Sequence, residues 1–203
     1  AGNVYVAGGF MGNAAFGISN LAGQRHHDFF VAMYDTGGTI RWVRQGVAAG
    51  NDAYATGIAV DSAGNSLVVG YFDGQTVSFG GITATNAGYA SSSFAAFIVK
   101  YNNAGTVQWA RGLGGGDTYS TTVGIDAAGN CYVAGNFKGT NQFGPNNLVS
   151  VGDKDGFLAK FNSAGVLQWV RQVAGTGGDG GRLGVDTAGN SWFVGNFTGS
   201  ASF

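Results

Sequence analysis

Glutamate is absent from these 203 residues, and cysteine and proline occur once each. Without glutamate, acid–base cleavage of a glycoside would need a pair of aspartates. A lone Cys131 excludes an intrachain disulfide and a cysteine-built zinc cage. Charged residues make up 10% of the chain, against roughly 25% in ordinary soluble domains. The net charge of −1 supplies no basic field for nucleic acid and no polybasic patch for anionic lipid. No apolar run approaches the ~20 residues of a membrane-crossing helix, so membrane insertion is not expected. The long-chain helix formers Glu, Lys and Met are scarce. What remains is 39 glycines, 15 phenylalanines and 8 tyrosines among many Val, Thr, Ser and Asn, a mixture that favours strands joined by tight turns.

Internal repetition dominates the chain. Ala-Gly-Asn recurs at Ala1, Ala63, Ala128 and Ala188, in steps of 62, 65 and 60 residues. Trp42, Trp109 and Trp169 keep the same step, each followed two positions later by Arg44, Arg111 or Arg171. Phenylalanine pairs do so too: Phe10/Phe16, Phe72/Phe79, Phe137/Phe143 and Phe197/Phe203. The repeat units span approximately 1–56, 57–120, 121–181 and 182–203.

Each complete unit reads as four short strands. Strand A covers 57–61, echoed at 123–126 and 183–186. Strand B is exemplified by 131–135, strand C by 157–161 and strand D by 166–171. Between A and B, Asp61, Asp126 and Asp186 open turns in which the aspartate side chain bonds the backbone two residues on. Gly64 and Gly129 fill a turn position that requires φ > 0. Strands B and C are nearly continuous apolar runs, so both faces are covered, whereas a two-layer sandwich would alternate. Four-stranded blades packed on both sides meet that demand in a β-propeller, and the repeat is somewhat longer than the ~40–50 residues of common propeller repeats. Ala59, Gly124 and Gly184 share a strand A position and fit an innermost strand crowded around an axis. A β-solenoid would use shorter repeats.

The expected fold is therefore all-β, with propeller blades of four antiparallel strands. Thirteen strands are expected: B-C-D, two full A-B-C-D sets, then A-B, or about 3.25 blades. The chain opens on Ala1 inside a turn motif and stops at Phe203, where the repeat elsewhere continues with Gly17, Gly80 or Gly144. This reads as part of a larger propeller, or as a subunit whose terminal blades are covered by a partner. Head-to-tail copies would duplicate strand B.

The pattern Asp-x-Ala-Gly-Asn, Val-x-Gly-x-Phe, Asp-x-Phe-x-x-Lys-Tyr/Phe, Gly-x-x-x-Trp-x-Arg runs through 126–137, 155–161 and 165–171. It resembles the SBBP-type β-propeller repeats of bacterial proteins, over essentially the whole chain. Met33 departs from it where Lys100 and Lys160 stand, and Ala95 where Asp28 and Asp155 stand. The resemblance implies a part of a large secreted or cell-surface protein, and names no activity.

The search for chemistry returns no catalytic, cofactor-binding or metal site. His26 and His27 are adjacent, and a metal needs three or four convergent ligands, so Asp28 or a partner would have to help. Cys131 aligns with Val4, Ser66 and Ser191 and reads as a buried inert thiol. The recurrent Asp52, Asp117 and Asp179 follow Arg44, Arg111 and Arg171, and an Arg–Asp pairing within or between blades is expected. One aspartate per turn is too few for tight calcium binding. Neither a Gly-x-Ser-x-Gly elbow nor a P-loop is present. The B–C connections at 17–27, 80–94 and 144–154 differ between units, with Gln24-Arg25-His26-His27, Ala90-Ser91-Ser92-Ser93 beside Tyr89, and Pro145-Asn146-Asn147. Variable loops on a regular scaffold are where recognition resides.

Three functions follow in order of expectation. The first is a noncatalytic structural or protein-interaction propeller, extracellular or at the cell surface, whose partners are further blades or other copies. The second is a carbohydrate-binding propeller using the variable loops. The third is an enzyme whose active site lies in blades outside this sequence.

Overall fold

A computed structural model describes residues 2–48, 51–88, 93–175, 178–197 and 199–202. The expected features at Ala1, at Tyr89 to Ser92 and at Phe203 lie outside the described residues. Every regular element among the described residues is a β-strand, and every pairing is antiparallel.

Strands stand at the thirteen expected places, but the described residues hold twenty strands in all. The first unit holds β1 (Val4–Phe10), β4 (Asp28–Tyr34) and β5 (Ile40–Ala48) as B, C and D. The second holds β6 (Ala53–Val60), β7 (Ser66–Asp73), β10 (Phe94–Tyr101) and β11 (Val107–Leu113). The third repeats that set as β12 (Thr118–Ile125), β13 (Cys131–Phe137), β16 (Asp155–Phe161) and β17 (Leu167–Gly175). The last unit has β18 (Gly178–Val185) and β19 (Ser191–Phe197). In the second and third units the sheet order is A-B-C-D.

The B–C connections are not plain loops. They carry short hairpins: β2 (Asn13–Phe16) with β3 (Ser19–Ala22), β8 (Thr76–Ser78) with β9 (Thr83–Thr85), and β14 (Thr140–Phe143) with β15 (Asn146–Val149). A final strand, β20 (Ala201–Ser202), stands at the same place in the last unit. β8 pairs with β5, and β20 with β17. Each of these two extends the sheet of the preceding unit. Alternation over three or four residues is too brief to signal a strand, but it turns Val77, Phe79 and Phe143 into the core.

Consecutive sheets bury their faces against one another. One core joins Phe29, Val31 and Trp42 of the first unit to Val68, Phe97 and Val99 of the second. The next joins Leu67, Ile98 and Trp109 to Val133, Phe137 and Phe157 of the third. Alternate residues of β7 and β10 thus enter different cores, which is why both strands read as continuously apolar. The A strands lie side by side: Thr56 Oγ1 donates to Ser120 O (2.7 Å) and Thr121 Oγ1 to Gly181 O (3.0 Å). At Gly124 a Cβ would come within 2.5 Å of Val185, so the small residue is required by the approach of β18.

The turns work as their sequences demand. Asp61 Oδ1 accepts the N–H groups of Ala63 (3.0 Å) and Asn65 (2.8 Å), and Gly64 sits at φ 81°. Asp126 does the same for Ala128 and Asn130. Asn102 and Asn162 repeat the device in the C–D turns. Register shifts after Lys100 and Lys160 mark the bulges that follow.

Candidate functional site

The recurrent Trp-x-Arg sits where one unit meets the next. Trp42 Nε1 donates to Asn103 O (2.9 Å), and Arg44 Nε to Gly105 O (2.8 Å). Trp109 Nε1 donates to Ser163 O (3.1 Å), and Arg111 Nε to Gly165 O (3.0 Å). Each guanidinium also lies over its own indole, 5.7 Å away for Arg44 and 5.8 Å for Arg111, a cation–π contact. The turn glycine packs against the indole: a Cβ on Gly105 or Gly165 would fall 2.6 Å from Trp42 or Trp109. The joint thus clamps the C–D turn of the following unit.

This corrects the expected Arg–Asp pairing. Arg44 and Arg111 spend their donors on turn and neighbouring carbonyls, and neither forms an ion pair with Asp52 or Asp117. Asp179 does not belong with those two aspartates either. It faces Asn196 in β18, the register that Tyr54 and Tyr119 hold opposite Tyr71 and Asn136.

Asp28 is not a metal ligand in waiting. It is fully buried, and its Oδ2 accepts from Gln24 N (3.2 Å) and Gln45 Nε2 (2.8 Å). Asp155 repeats this with Val151 N (3.0 Å) and Gln172 Nε2 (2.5 Å). In the second unit Ala95 and Gly112 replace the aspartate and its glutamine partner together. The space is taken by backbone, since a Cβ on Gly112 would lie 2.0 Å from Thr85 O.

His27 pairs with Asp52 instead, through its backbone N–H (2.8 Å) and its Nδ1 (3.2 Å), while His26 Nδ1 stands 4.0 Å away. The His27 N–H is the chief cause of the depressed Asp52 carboxyl pKa. Among the described residues no group of three or more His, Cys, Asp or Glu is placed to hold a metal ion. Cys131 is buried, its Sγ 3.6 Å from Gly129 O, and burial pushes its thiol pKa up to about 12.

The sequence reading missed a run of half-buried rings at the end where C strands begin. His27 lies 5.0 Å from Tyr54, Tyr54 5.2 Å from Tyr71, and Tyr71 5.5 Å from Phe94 and 5.0 Å from Tyr119. Lys154 Nζ caps it, 5.4 Å from the Tyr119 ring. Burial raises the Tyr119 pKa, and the charges of Asp117 and Asp73 add to that. Asp117 itself adopts φ 50°, the one positive value at a non-glycine among the described residues. The repeat is broken here. Tyr71 stands where other units have Gly9, Asn136 and Asn196, and Phe94 where they have His27 and Lys154. Listing unlike residues at equal registers would have exposed it.

Comparison with known proteins finds two sequence similarities. The chain is 26% identical over 182 residues to an uncharacterized WD repeat-containing protein of Acanthamoeba polyphaga mimivirus. The match covers 79% of this chain but only 13% of that relative. Residues 41–74, from strand D of the first unit to strand B of the second, match the SBBP family model, described as a beta-propeller repeat. Over residues 41–74, then, the chain is similar to the SBBP beta-propeller repeat.

Proposed function

We propose that these residues form about 3.25 blades of four strands each, in a larger propeller that serves as a noncatalytic protein-interaction surface on a secreted or cell-surface bacterial protein. The observation that carries the reading is the aromatic run from His27 to Lys154. It is partly exposed, and it occupies the positions where the repeat is broken. The turn aspartates Asp61, Asp126 and Asp186 and the joint arginines Arg44 and Arg111, by contrast, are bonded to turn backbone. A WD repeat-containing relative and a propeller repeat model support an interaction role.

The test is an array of extracellular proteins probed with the wild type and with the double variant Tyr71→Asn/Phe94→Lys, residues that other units carry at these registers. Binding that the variant loses, with its melting temperature kept, supports the reading. Equal binding by both, or none, overturns it. A carbohydrate ligand is the second reading, favoured by tyrosine faces beside Asp73 and Asp117. A glycan array without any bound sugar removes it. Catalysis in blades beyond these residues is the third.

A further inference from the structure

Strand B carries the same ring in two units. Tyr5 and Tyr132 hold equal registers in β1 and β13, and each phenol donates to the turn glycine of the next unit. Tyr5 Oη reaches Gly64 O (2.9 Å), and Tyr132 Oη reaches Gly189 O (3.0 Å). Asp126 Oδ2, in the same unit as Tyr132, shares that hydroxyl proton at 3.2 Å. Lys160, opposite Tyr132 in the sheet, sets its Nζ 4.9 Å from the ring. The second unit departs from this: Leu67 holds the register, opposite Lys100.

Leucine has neither a hydroxyl nor a π face, so three groups lack what tyrosine supplies elsewhere. Gly129 O receives only the weak donor Cys131 Sγ, at 3.6 Å. Asp61 Oδ2 accepts from Asn65 Nδ2 (2.8 Å), where Asp126 Oδ2 has both Asn130 and Tyr132. Lys100 is 9% exposed, and among the described residues its ammonium has one long acceptor. That acceptor, Ser163 O at 3.4 Å, is already taken by Trp109 Nε1. A buried ammonium bonded so poorly is costly. All three groups line one cleft of about 440 Å³, together with Asp126, Ser163 and Thr187. The cleft lies within the stack, since the second unit is packed against a neighbour on either face.

We propose that this cleft is a binding site for a small neutral phenol. The ring lies against the Lys100 ammonium, as Tyr132 lies against Lys160, in a cation–π contact. The hydroxyl donates to Gly129 O and Asp61 Oδ2, as Tyr132 does to Gly189 O and Asp126 Oδ2. The lining also selects the ligand's charge. Two carboxylates stand beside the single ammonium, so an anionic guest is repelled and a phenol that keeps its proton is not. The cleft sits at the opposite end of β10 from the aromatic run that Phe94 belongs to, so the site is independent of the interaction surface proposed there.

The probe is p-cresol, the tyrosine side chain as a free molecule, and toluene is the same ring without its hydroxyl. Each is titrated into the full chain and followed by NMR at the Gly129 amide and the Trp109 indole. p-Cresol should bind saturably at millimolar concentration, and toluene roughly tenfold more weakly. Lys100→Met, which supplies the residue that the first unit has as Met33, should weaken p-cresol roughly tenfold with the fold kept. Leu67→Tyr places the chain's own ring at the site, and should abolish p-cresol binding and raise the melting temperature. The Tyr71→Asn/Phe94→Lys variant should bind p-cresol as the wild type does. No saturable shift, equal affinity for toluene, or unchanged binding in Lys100→Met or in folded Leu67→Tyr overturns the proposal. Loss of binding in Tyr71→Asn/Phe94→Lys also overturns it, by placing the ring at the aromatic run. If Leu67→Tyr does not fold, the toluene and Lys100→Met comparisons decide alone.

Discussion

Replacing Gly165 with alanine strikes the clamp between the second and third units. The residue sits at φ 75°, so any side chain there is strained, by about 1 kcal/mol for the left-handed region. The new Cβ would also fall 2.6 Å from the Trp109 ring, with two further ring atoms inside 3.0 Å. An indole held by its own hydrogen bond cannot yield cheaply. Displacing it breaks Trp109 Nε1 to Ser163 O and loosens Arg111 Nε on Gly165 O, at about 1 kcal/mol each. The expected loss is about 3 kcal/mol. Gly38 supplies the control: it occupies the equivalent turn position of the first unit at φ 77°, and a Cβ there meets nothing within 4 Å. G38A should therefore cost only the backbone strain of about 1 kcal/mol. Urea denaturation of both variants measures the difference. Equal losses, within about 0.5 kcal/mol, would refute the clamp as the source of stability between units.

Three further outcomes are expected. Gln45→Ala leaves the buried Asp28 carboxylate with only the Gln24 N–H on Oδ2, and urea midpoints should show a loss of about 2 kcal/mol. Asp52 is held below its ordinary pKa of 3.8, first by the His27 N–H. Its contribution is therefore present above that ordinary value and lost as pH falls through the lower folded one; stability measured from pH 7 to pH 2 should fall less steeply in that window for Asp52→Asn. Cys131, fully buried with its thiol pKa near 12, should resist thiol reagents in the native protein and react once urea unfolds it.

Strands and turns were legible because their causes are local. Asp61 and Gly64 need no partner beyond their own turn, and the apolar runs of β7 and β10 announce burial on both sides. The destinations of Arg44 and Arg111 were not legible. They bond main-chain carbonyls 61 and 54 residues away, and a carbonyl leaves no mark in a sequence. Aspartates offered a plausible charge and were the wrong partner. Asp179 misled by spacing, since it stands two residues further along its strand than Asp52 and Asp117 do, at the register of Tyr54 and Tyr119. The aromatic run is spread from His27 to Lys154 and assembles only when three sheets stand side by side. The pairing of Asp28 with Gln45 was hidden in the same way, although their joint replacement by Ala95 and Gly112 is visible afterwards.

The central claim is that consecutive units are locked by an indole set on the next unit's turn. The four tryptophan indole N–H groups test it in a single hydrogen-exchange NMR series. Trp42 and Trp109, bonded to Asn103 O and Ser163 O, should exchange slowly. Trp169 and the exposed Trp192 should exchange fast. Four alike rates, or a protected Trp169 beside an unprotected Trp109, would contradict the account.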